Sequence, residues 1–438
     1  MLRSLAFCIG ATFLLRLGNS ATGVLLSLLL AHLNRVNPEG AGLGATTVGL
    51  LAAAFYFPEL LGAPLMGALS DQYGRRPFMI AGPIFGGLAV QLIGWPGLVI
   101  AMAAGRVLEG FSTASSAPST LSFLSAATSS EPALRARAMS WYQIATVGGI
   151  TGGFIIAGLI WQALQQMAFL VVTAIYVLSL VGFAQVRDTP GPAEDGDSLV
   201  HPNPLAHFAL LGQHPRLLRF APAWLLVNTI LGAWLIQSTL QLTGEPRAGQ
   251  HLAGALSGAG LSAAFAFFGI AFLAGIYVWG IVMNKWSKML VMAITISGIF
   301  VSALALALMN HTAGGGNRLF LLGVLFALGV VIASGFTPAA LAYLADLSED
   351  VAQARGAVMG LYSVMLGLGQ VIGAALGGPF AEGIDVLGLS LPGGVDGLLI
   401  LTFLLAIAAL GAVGIMWRFE GLKTPLPPTP SPARGGGE

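Results

Sequence analysis

Residues 67–77 read GALSDQYGRRP and lie between two apolar stretches, each long enough to cross a membrane as a helix. The two arginines alone would fit a short cytoplasmic loop, because positive residues accumulate on that side of membranes. That interpretation does not account for the spacing of Gly67, Asp71 and Gly74. A glycine at the end of a span lets helices approach, Asp71 can serve a helix N-terminus or an arginine, and Gly74 permits a tight turn.

The composition requires lipid as a solvent. Hydrophobic residues make up 56% of the 438 residues and charged residues only 8%, whereas a soluble domain has roughly 25% charged residues. The 60 glycines lie mainly within apolar runs, which fits closely packed membrane helices. A net charge of +1 excludes a strongly basic nucleic-acid-binding protein. The single cysteine, Cys8, excludes an intramolecular disulfide and a cysteine-based metal cluster.

The hydropathy pattern predicts an all-α membrane protein with twelve transmembrane helices, since each crossing needs roughly 20 apolar residues. With a cytoplasmic N-terminus, the inside segments hold 14 of the 19 Lys and Arg residues and the outside segments hold 3. This bias predicts that both termini lie in the cytoplasm. We expect a multi-pass protein of the plasma (inner) membrane. The spans are predicted near residues 5–33, 46–66, 78–97, 98–125, 137–161, 166–185, 219–242, 258–283, 289–309, 318–344, 356–381 and 396–417.

The two halves of the chain repeat each other. Residues 118–142 align with 338–362 without gaps, so that Pro118 meets Pro338 and Tyr142 meets Tyr362. Two six-span halves joined by a polar linker are typical of transporters whose substrate site lies between the halves. We therefore divide the chain into a six-helix bundle at 1–186, a cytoplasmic linker at 187–218, a second six-helix bundle at 219–417 and a disordered Pro/Gly-rich tail at 418–438.

In this context the loop resembles the signature G-x-x-x-D-x-x-G-R-R of the major facilitator superfamily, and the resemblance covers residues 1–420. It implies the two-bundle fold of that family and a cytoplasmic latch in which Asp71 packs near Arg355 at the start of the eleventh span. The second-half copy keeps Gly280 but has Asn284 in place of the acid, so the latch is expected to be asymmetric. The resemblance assigns to the latch Gly67, Asp71, Gly74, Arg75, Arg76 and Arg355.

Two further segments are similar to motifs of the same family. Arg106 to Gly110 matches R-x-x-x-G, whose arginine is linked to proton transfer in many members. The fifth span resembles a weakened antiporter motif, G-x-x-x-G-P-x-x-G-G, with Ile144 in place of its first glycine and Gly149 in place of its proline. These departures disfavour an efflux antiporter, and helix packing explains the glycines better.

Four ionisable residues lie inside predicted spans: Arg16, Glu59, Arg106 and Glu109. A charge near the bilayer centre costs at least ~2.5 kcal/mol, so each is expected to face a partner or a wet cavity. Arg106 and Glu109 are three residues apart and share a helix face. Two interpretations remain open: ion pairs that hold the N-terminal half together, or groups that couple proton movement to transport.

The C-terminal half has no charge firmly within a predicted span. Most polar residues in helical bundles serve packing or interhelical hydrogen bonds, and some contact substrate. A cavity with so few hydrogen-bonding groups suits an apolar or amphipathic solute better than a sugar. The candidate cavity residues are Asn228, Trp234, Gln237, Tyr362 and Gln370.

The sequence thus predicts a secondary active transporter of a small solute, with coupling to protons as a further expectation. The absence of a G-x-x-x-x-G-K-[ST] loop disfavours ATP-driven transport by this chain. No histidine lies deep within a predicted span, so neither an enzyme nor a bound metal or cofactor is expected. A transporter-like receptor or lipid-handling protein that retains the fold is the alternative, and an altered loop at Asp71 would favour it.

Overall fold

The computed structural model of the chain describes most of the apolar segments. The predicted linker, apart from its two ends, and the predicted tail from residue 421 onward lie outside the described residues. The described residues are 2–36, 44–95, 97–128, 132–187, 215–282, 286–349, 355–386 and 389–420.

The N-terminal half is helical because a helix satisfies its backbone hydrogen bonds internally, as a lipid environment requires. Gly74 separates the second helix from the third at φ 93°, a left-handed backbone conformation that favours glycine. A 3₁₀ turn, Gln165–Met167, joins the fifth and sixth helices. The helices are α1 (Leu2–Val36), α2 (Ala45–Tyr73), α3 (Arg75–Gly94), α4 (Val99–Ala127), α5 (Pro132–Leu164) and α6 (Ala168–Ala184).

The C-terminal half contains helices α7 to α13 and a small antiparallel hairpin. Its first helix begins at Pro215, within the stretch predicted as linker. The predicted tenth span is divided into two helices at Gly335, where a β-carbon would lie 2.5 Å from the Trp279 indole. The elements are α7 (Pro215–Thr243), α8 (Gly258–Val282), α9 (Lys288–Asn310), α10 (Asn317–Ala333), α11 (Phe336–Glu349), α12 (Arg355–Glu382), β1 (Ile384–Val386), β2 (Leu389–Leu391) and α13 (Gly394–Glu420).

Ten helical segments among the described residues are long and apolar enough to cross a membrane. One of them, Trp141–Ala184, is 44 residues long and contains most of α5 and all of α6, about twice the length that one crossing needs. Helix α4 is not among the ten; it carries Arg106, Glu109 and a series of Ser and Thr residues, yet it packs between α2 and α3. With the long segment counted as two crossings and α4 as one more, the described helices are consistent with twelve crossings. The predicted all-helical membrane fold is confirmed.

Each half has a buried hydrophobic cluster of its own, and a further cluster joins residues of both halves. Helix α1 packs on α5 and α6, while α7 packs on α12 and α13. Residues that align in the internal repeat are buried in both halves: Phe123 and Leu124 in the first, Tyr343 and Leu344 in the second. The repeat therefore records equivalent core positions.

The halves meet where α2 packs on α12 and α5 packs on α8. Glycines bring the backbones together there: a β-carbon at Gly158 would lie 2.1 Å from the carbonyl oxygen of Gly258. Gly378 similarly packs on the backbone of Thr46. We call the end of the bundle where α1 ends and α2 begins the distal end, and the opposite end the proximal end.

Two of the glycines in the fifth span form the contact between α5 and α1. A β-carbon at Gly149 would lie 2.5 Å from the carbonyl oxygen of Phe13, and one at Gly153 would lie 2.5 Å from that of Leu17. By contrast, a β-carbon at Gly152 would meet Leu17 at 3.4 Å, an ordinary contact. Gly149 and Gly153 thus form a small-xxx-small surface that lets the two backbones approach.

This difference predicts opposite effects of one methyl group at neighbouring positions. Gly153→Ala should destabilise the protein by about 1–3 kcal/mol, because overpacking forces α5 away from α1. Gly152→Ala should be neutral or stabilising, since alanine is the better helix former. Thermal unfolding of the purified variants in detergent measures both; equal midpoints for the two variants would contradict this packing.

Candidate functional site

Helix α4 buries an ion pair in its first half. The Arg106 guanidinium donates to one carboxylate oxygen of Glu109, and the two residues are 6% and 0% exposed. Arg106 also donates through Nε to the carbonyl oxygen of Leu51 at 3.3 Å and lies 4.5 Å from the ring centroid of Phe55. Within the described residues, the second carboxylate oxygen of Glu109 has no hydrogen-bond partner. Arg106 is therefore fixed by contacts beyond the ion pair, whereas the described residues give Glu109 a partner for only one of its two carboxylate oxygens.

Gly110 brings this pair against α2. A β-carbon at Gly110 would lie 2.3 Å from the carbonyl oxygen of Phe55 and 2.6 Å from Cγ of Pro58. Glycine is therefore required for α4 to approach α2 closely enough for Arg106 to reach the Leu51 carbonyl. This contact explains the spacing of arginine and glycine in the R-x-x-x-G segment.

The other two predicted charges form a looser pair between α1 and α2. Arg16 and Glu59 are 3.9 Å apart at their nearest side-chain atoms, with side-chain exposures of 17% and 27%. The structure therefore brings the four predicted coupling residues into two pairs within one half. Because the Arg16–Glu59 pair is longer and more accessible, it needs less rearrangement to separate than the pair in α4.

A buried hydrogen-bonded chain that the sequence analysis missed links three helices beside these charges. Asn19 of α1 donates to the Thr113 hydroxyl of α4 at 2.7 Å and accepts from the Tyr176 hydroxyl of α6. The Tyr176 ring fits against Gly86, where a β-carbon would lie 2.2 Å from the ring. An asparagine within the first span was the available signal, since a buried amide in lipid needs partners.

Three of the predicted cavity residues form hydrogen bonds within the protein. Asn228 donates to the carbonyl oxygen of Trp224 one turn earlier, at 2.8 Å. The Trp234 indole donates to the Thr402 hydroxyl of α13 at 2.7 Å. Gln237 is fully buried and its amide oxygen has no partner among the described residues, although its amide nitrogen is engaged.

The remaining cavity candidates differ in position. Gln370 is partly buried, and its backbone packs on Gly232 of α7, where a β-carbon would lie 2.8 Å away. The side chain of Tyr362 lies outside the described part of the structure. The structure thus brings Gln237 to the interface between the halves, while Asn228 and Trp234 serve contacts within the C-terminal half.

The predicted latch is described only in part. Arg75 donates through Nε to the Ser122 hydroxyl of α4 at 2.8 Å, and Arg76 donates to the carbonyl oxygen of Ala184 at 2.7 Å. Gly67 packs on α4, with a β-carbon 3.3 Å from Pro118. The backbones of Asp71 in α2 and Arg355 in α12 are helical, whereas their side chains lie outside the described residues.

Hydrogen bonds between α2 and the C-terminal half close the distal end. Thr46 binds the Glu382 carboxylate through its backbone N–H at 2.9 Å and through its hydroxyl at 2.6 Å. The Gln237 side-chain amide donates to the carbonyl oxygen of Ala45 at 2.8 Å. Glu382 thereby occupies the positive end of the α2 helix dipole.

Two further sets of hydrogen bonds join other helices of the two halves at this end. Arg35, in the last turn of α1, donates to the carbonyl oxygens of Thr243 and Gly244 at the end of α7. The backbone N–H of Ala259 donates to the Gln162 side chain of α5 at 2.8 Å. We call the residues that make these four sets of bonds the distal gate. Their spacing along the chain follows no pattern that would have identified them beforehand.

The fold and the site define a multi-pass membrane transporter built from two helical halves. The Major Facilitator Superfamily profile matches residues 8–373 and, in a second overlapping match, residues 250–437. The chain therefore belongs to the Major Facilitator Superfamily, as the loop motif predicted. A comparison with curated protein sequences finds no significant match.

Solved structures with a similar fold include the nucleoside transporter NupG. A crystal structure of a NupG point mutant superimposes with a TM-score of 0.72 at 13% identity, covering 94% of this chain and 99% of that chain. A second NupG crystal structure gives a TM-score of 0.69 at 14% identity, covering 96% and 100% of the two chains. At these identities the likeness shows a shared fold.

The buried pair in α4 predicts strongly non-additive stability effects. Arg106→Gln should destabilise the protein by about 3–5 kcal/mol, because it leaves Glu109 buried without its cationic partner. Adding Glu109→Gln to that variant should restore much of the loss, since no unpaired charge remains. Thermal unfolding midpoints in detergent measure the stability of each variant, and Arg318→Gln at an exposed position is the control. A double variant no more stable than Arg106→Gln alone would contradict the pairing.

Proposed function

We propose that the protein is a secondary active transporter that moves a small solute by alternating access between its halves. The observation that carries the proposal is the distal gate, in which side chains of one half bind backbone or side-chain groups of the other. When the gate opens, water can replace the protein partner in each of these hydrogen bonds. The net contribution of each hydrogen bond to the closed state is therefore only about 1 kcal/mol. Such an interface can be made and broken repeatedly.

We propose that the protein lies in the plasma (inner) membrane. The charge bias of the connecting segments supports an orientation with both termini in the cytoplasm. In that orientation the distal gate faces the outside, and the structure corresponds to an outside-closed conformation. The predicted latch of Asp71, Arg75 and Arg355 would then close the opposite, cytoplasmic side in the alternate conformation.

Proton coupling through Glu109 or Glu59 is the second part of the proposal. Glu109 is a fully buried acid, and one of its carboxylate oxygens has no partner among the described residues. The arginine beside it is fixed by Leu51 and Phe55. Glu59 forms the longer, partly exposed pair with Arg16. A carboxylate that loses its arginine in one conformation gains affinity for a proton there, which links protonation to the conformational change.

We propose an amphipathic solute, because the few polar groups of the C-terminal wall are largely engaged in internal hydrogen bonds. Nucleosides are the first class to test: the structural relatives named above are nucleoside transporters, and a nucleoside joins a flat base to a polar sugar. The alternative, a receptor or lipid-handling protein with this fold, predicts binding without accumulation.

Transport into proteoliposomes with an imposed pH gradient tests this proposal. A gradient of one pH unit corresponds to about 1.4 kcal/mol and can sustain about tenfold accumulation at one proton per solute. With labelled nucleosides and a panel of amphipathic solutes, wild type should accumulate a solute under the gradient. Glu109→Gln or Glu59→Gln should abolish accumulation while retaining solute exchange at equal pH.

Glu245→Gln, at an exposed distal acid, is the matched control and should transport as wild type does. Full gradient-driven accumulation by both Glu59→Gln and Glu109→Gln would refute the coupling proposal. Binding of a solute without any exchange across the membrane would favour the receptor alternative and refute transport.

A further inference from the structure

The pair formed by Arg16 and Glu59 lies at mid-depth in the membrane. Glu59 is the midpoint of α2 (Ala45–Tyr73) and lies about 21 Å from either end of that helix. The nearest side-chain nitrogen and oxygen of the pair are 3.9 Å apart, which is beyond hydrogen-bond distance. Among the described residues, neither side chain has a hydrogen-bond partner. The pair therefore presents unused donors next to an unused acceptor.

Both side chains face the interior of the bundle. On α2, the exposed side chains of Phe57 and Leu61 are each two residues from Glu59. Two residues correspond to about 200° around a helix, so Glu59 lies nearly opposite the face that meets lipid. On α1, Gly18 packs on α6, and Arg16 is likewise two residues away. The partial exposure of the two side chains, 17% and 27%, is therefore exposure to the space enclosed by the helices.

An aromatic ring lies one turn from this pair, at the interface between the halves. Leu60 packs on α12, since a β-carbon at Gly367 would lie 3.1 Å from its side chain. Tyr56 precedes Glu59 by three residues and Leu60 by four, so its half-buried side chain projects between those two directions. Phe55 meets the Tyr56 ring edge-on, with the ring centroids 4.9 Å apart. The α2 helix thus carries a flat surface and an ion pair on the same inward face.

This arrangement complements the base of a nucleoside. A base is planar and stacks on an aromatic ring. In uridine and inosine, one edge of the base also carries a ring N–H group next to a carbonyl group. The N–H group can donate to a carboxylate while the carbonyl oxygen accepts from a guanidinium. Because the base is uncharged and the ion pair is neutral as a whole, their contact leaves no charge unpaired.

We propose that Arg16 and Glu59 bind the base of the transported solute at such an edge, with the base stacked on Tyr56. The inference rests on the proposed transport function and adds the chemical class that the site selects, a planar heterocycle in which a carbonyl adjoins an N–H group. The zwitterion of an amino acid also joins an acceptor for arginine to a donor for glutamate. It has no flat ring to place on Tyr56, so the site favours the base.

Calorimetric titration of the purified full-length protein in detergent tests this proposal with three nucleosides. Uridine and 5-methyluridine share the edge, whereas 3-methyluridine has a methyl group in place of the ring N–H hydrogen. Uridine and 5-methyluridine should bind alike. The affinity for 3-methyluridine should be about tenfold lower, because a hydrogen bond to a charged group is lost. Equal affinities for uridine and 3-methyluridine would overturn the proposal, and this comparison on the wild type depends on no variant.

Two sets of variants separate the edge contact from the ring contact. Exchanging both Arg16→Met and Glu59→Met leaves no unpaired charge; this double variant should bind uridine about tenfold more weakly and no longer distinguish it from 3-methyluridine. Tyr56→Leu should weaken the binding of both nucleosides about tenfold and keep their ratio, whereas Tyr56→Phe should bind as wild type does. Tyr277→Leu, at an exposed tyrosine of the other half, is the matched control and should change neither affinity.

Other outcomes distinguish this inference from the proposed function. Binding of L-alanine without binding of uridine would overturn base recognition in favour of a zwitterionic solute. Accumulation in proteoliposomes of a solute that lacks the edge, with no binding of uridine, would refute base recognition and leave transport intact. Binding of uridine with the expected selectivity, but without exchange across the membrane, would support base recognition and refute transport.

Discussion

The hydrocarbon core of a membrane offers no hydrogen bonds, and the rest of this structure depends on that constraint. Backbone groups must be satisfied within helices, and helices must pack without help from the hydrophobic effect. Glycines at the α1–α5 contact and between the halves meet the second requirement by allowing backbones to touch. The same constraint makes a buried charge costly, so Arg106 is bound by an acid, a carbonyl oxygen and an aromatic ring together.

The two halves divide these tasks unequally. The N-terminal half contains both of the described intramembrane ion pairs and the Tyr176–Asn19–Thr113 chain, all within contact of α1 or α4. In the C-terminal half, Asn228 of α7 donates to a backbone carbonyl of its own helix, Trp234 donates to α13, and Gln237 donates to the other half. This asymmetry supports an N-terminal half that carries coupling and a C-terminal half that supplies much of the solute wall and one side of the gate.

The fold was largely predictable from the sequence, because lipid forces a simple relation between apolar length and helical span. Asp71, Gly74 and the following arginines also identified the family, since a positive loop alone does not require an acid and a glycine at that spacing. The pairing of Arg106 with Glu109 followed from helical periodicity. The Thr46–Glu382 contact could not be predicted, because it joins two chain segments more than 300 residues apart, and neither residue is unusual at a helix end. Tyr176 was missed for a similar reason: its partner Asn19 lies on another helix.

Alternating access requires that the halves open at one end as they close at the other. Distances between pairs of spin labels measure this movement. One pair is placed at distal positions 167 and 248 and another at proximal positions 72 and 218, in a protein whose Cys8 is replaced by serine. Glu382→Ala removes both bonds to Thr46, each worth about 1 kcal/mol, and should raise the distal-open to distal-closed ratio by more than about tenfold. We expect the distal distance to lengthen in this variant as the proximal distance shortens, with Glu245→Ala unchanged. Distances that stay fixed, or that lengthen at both ends together, would contradict alternating access in this protein.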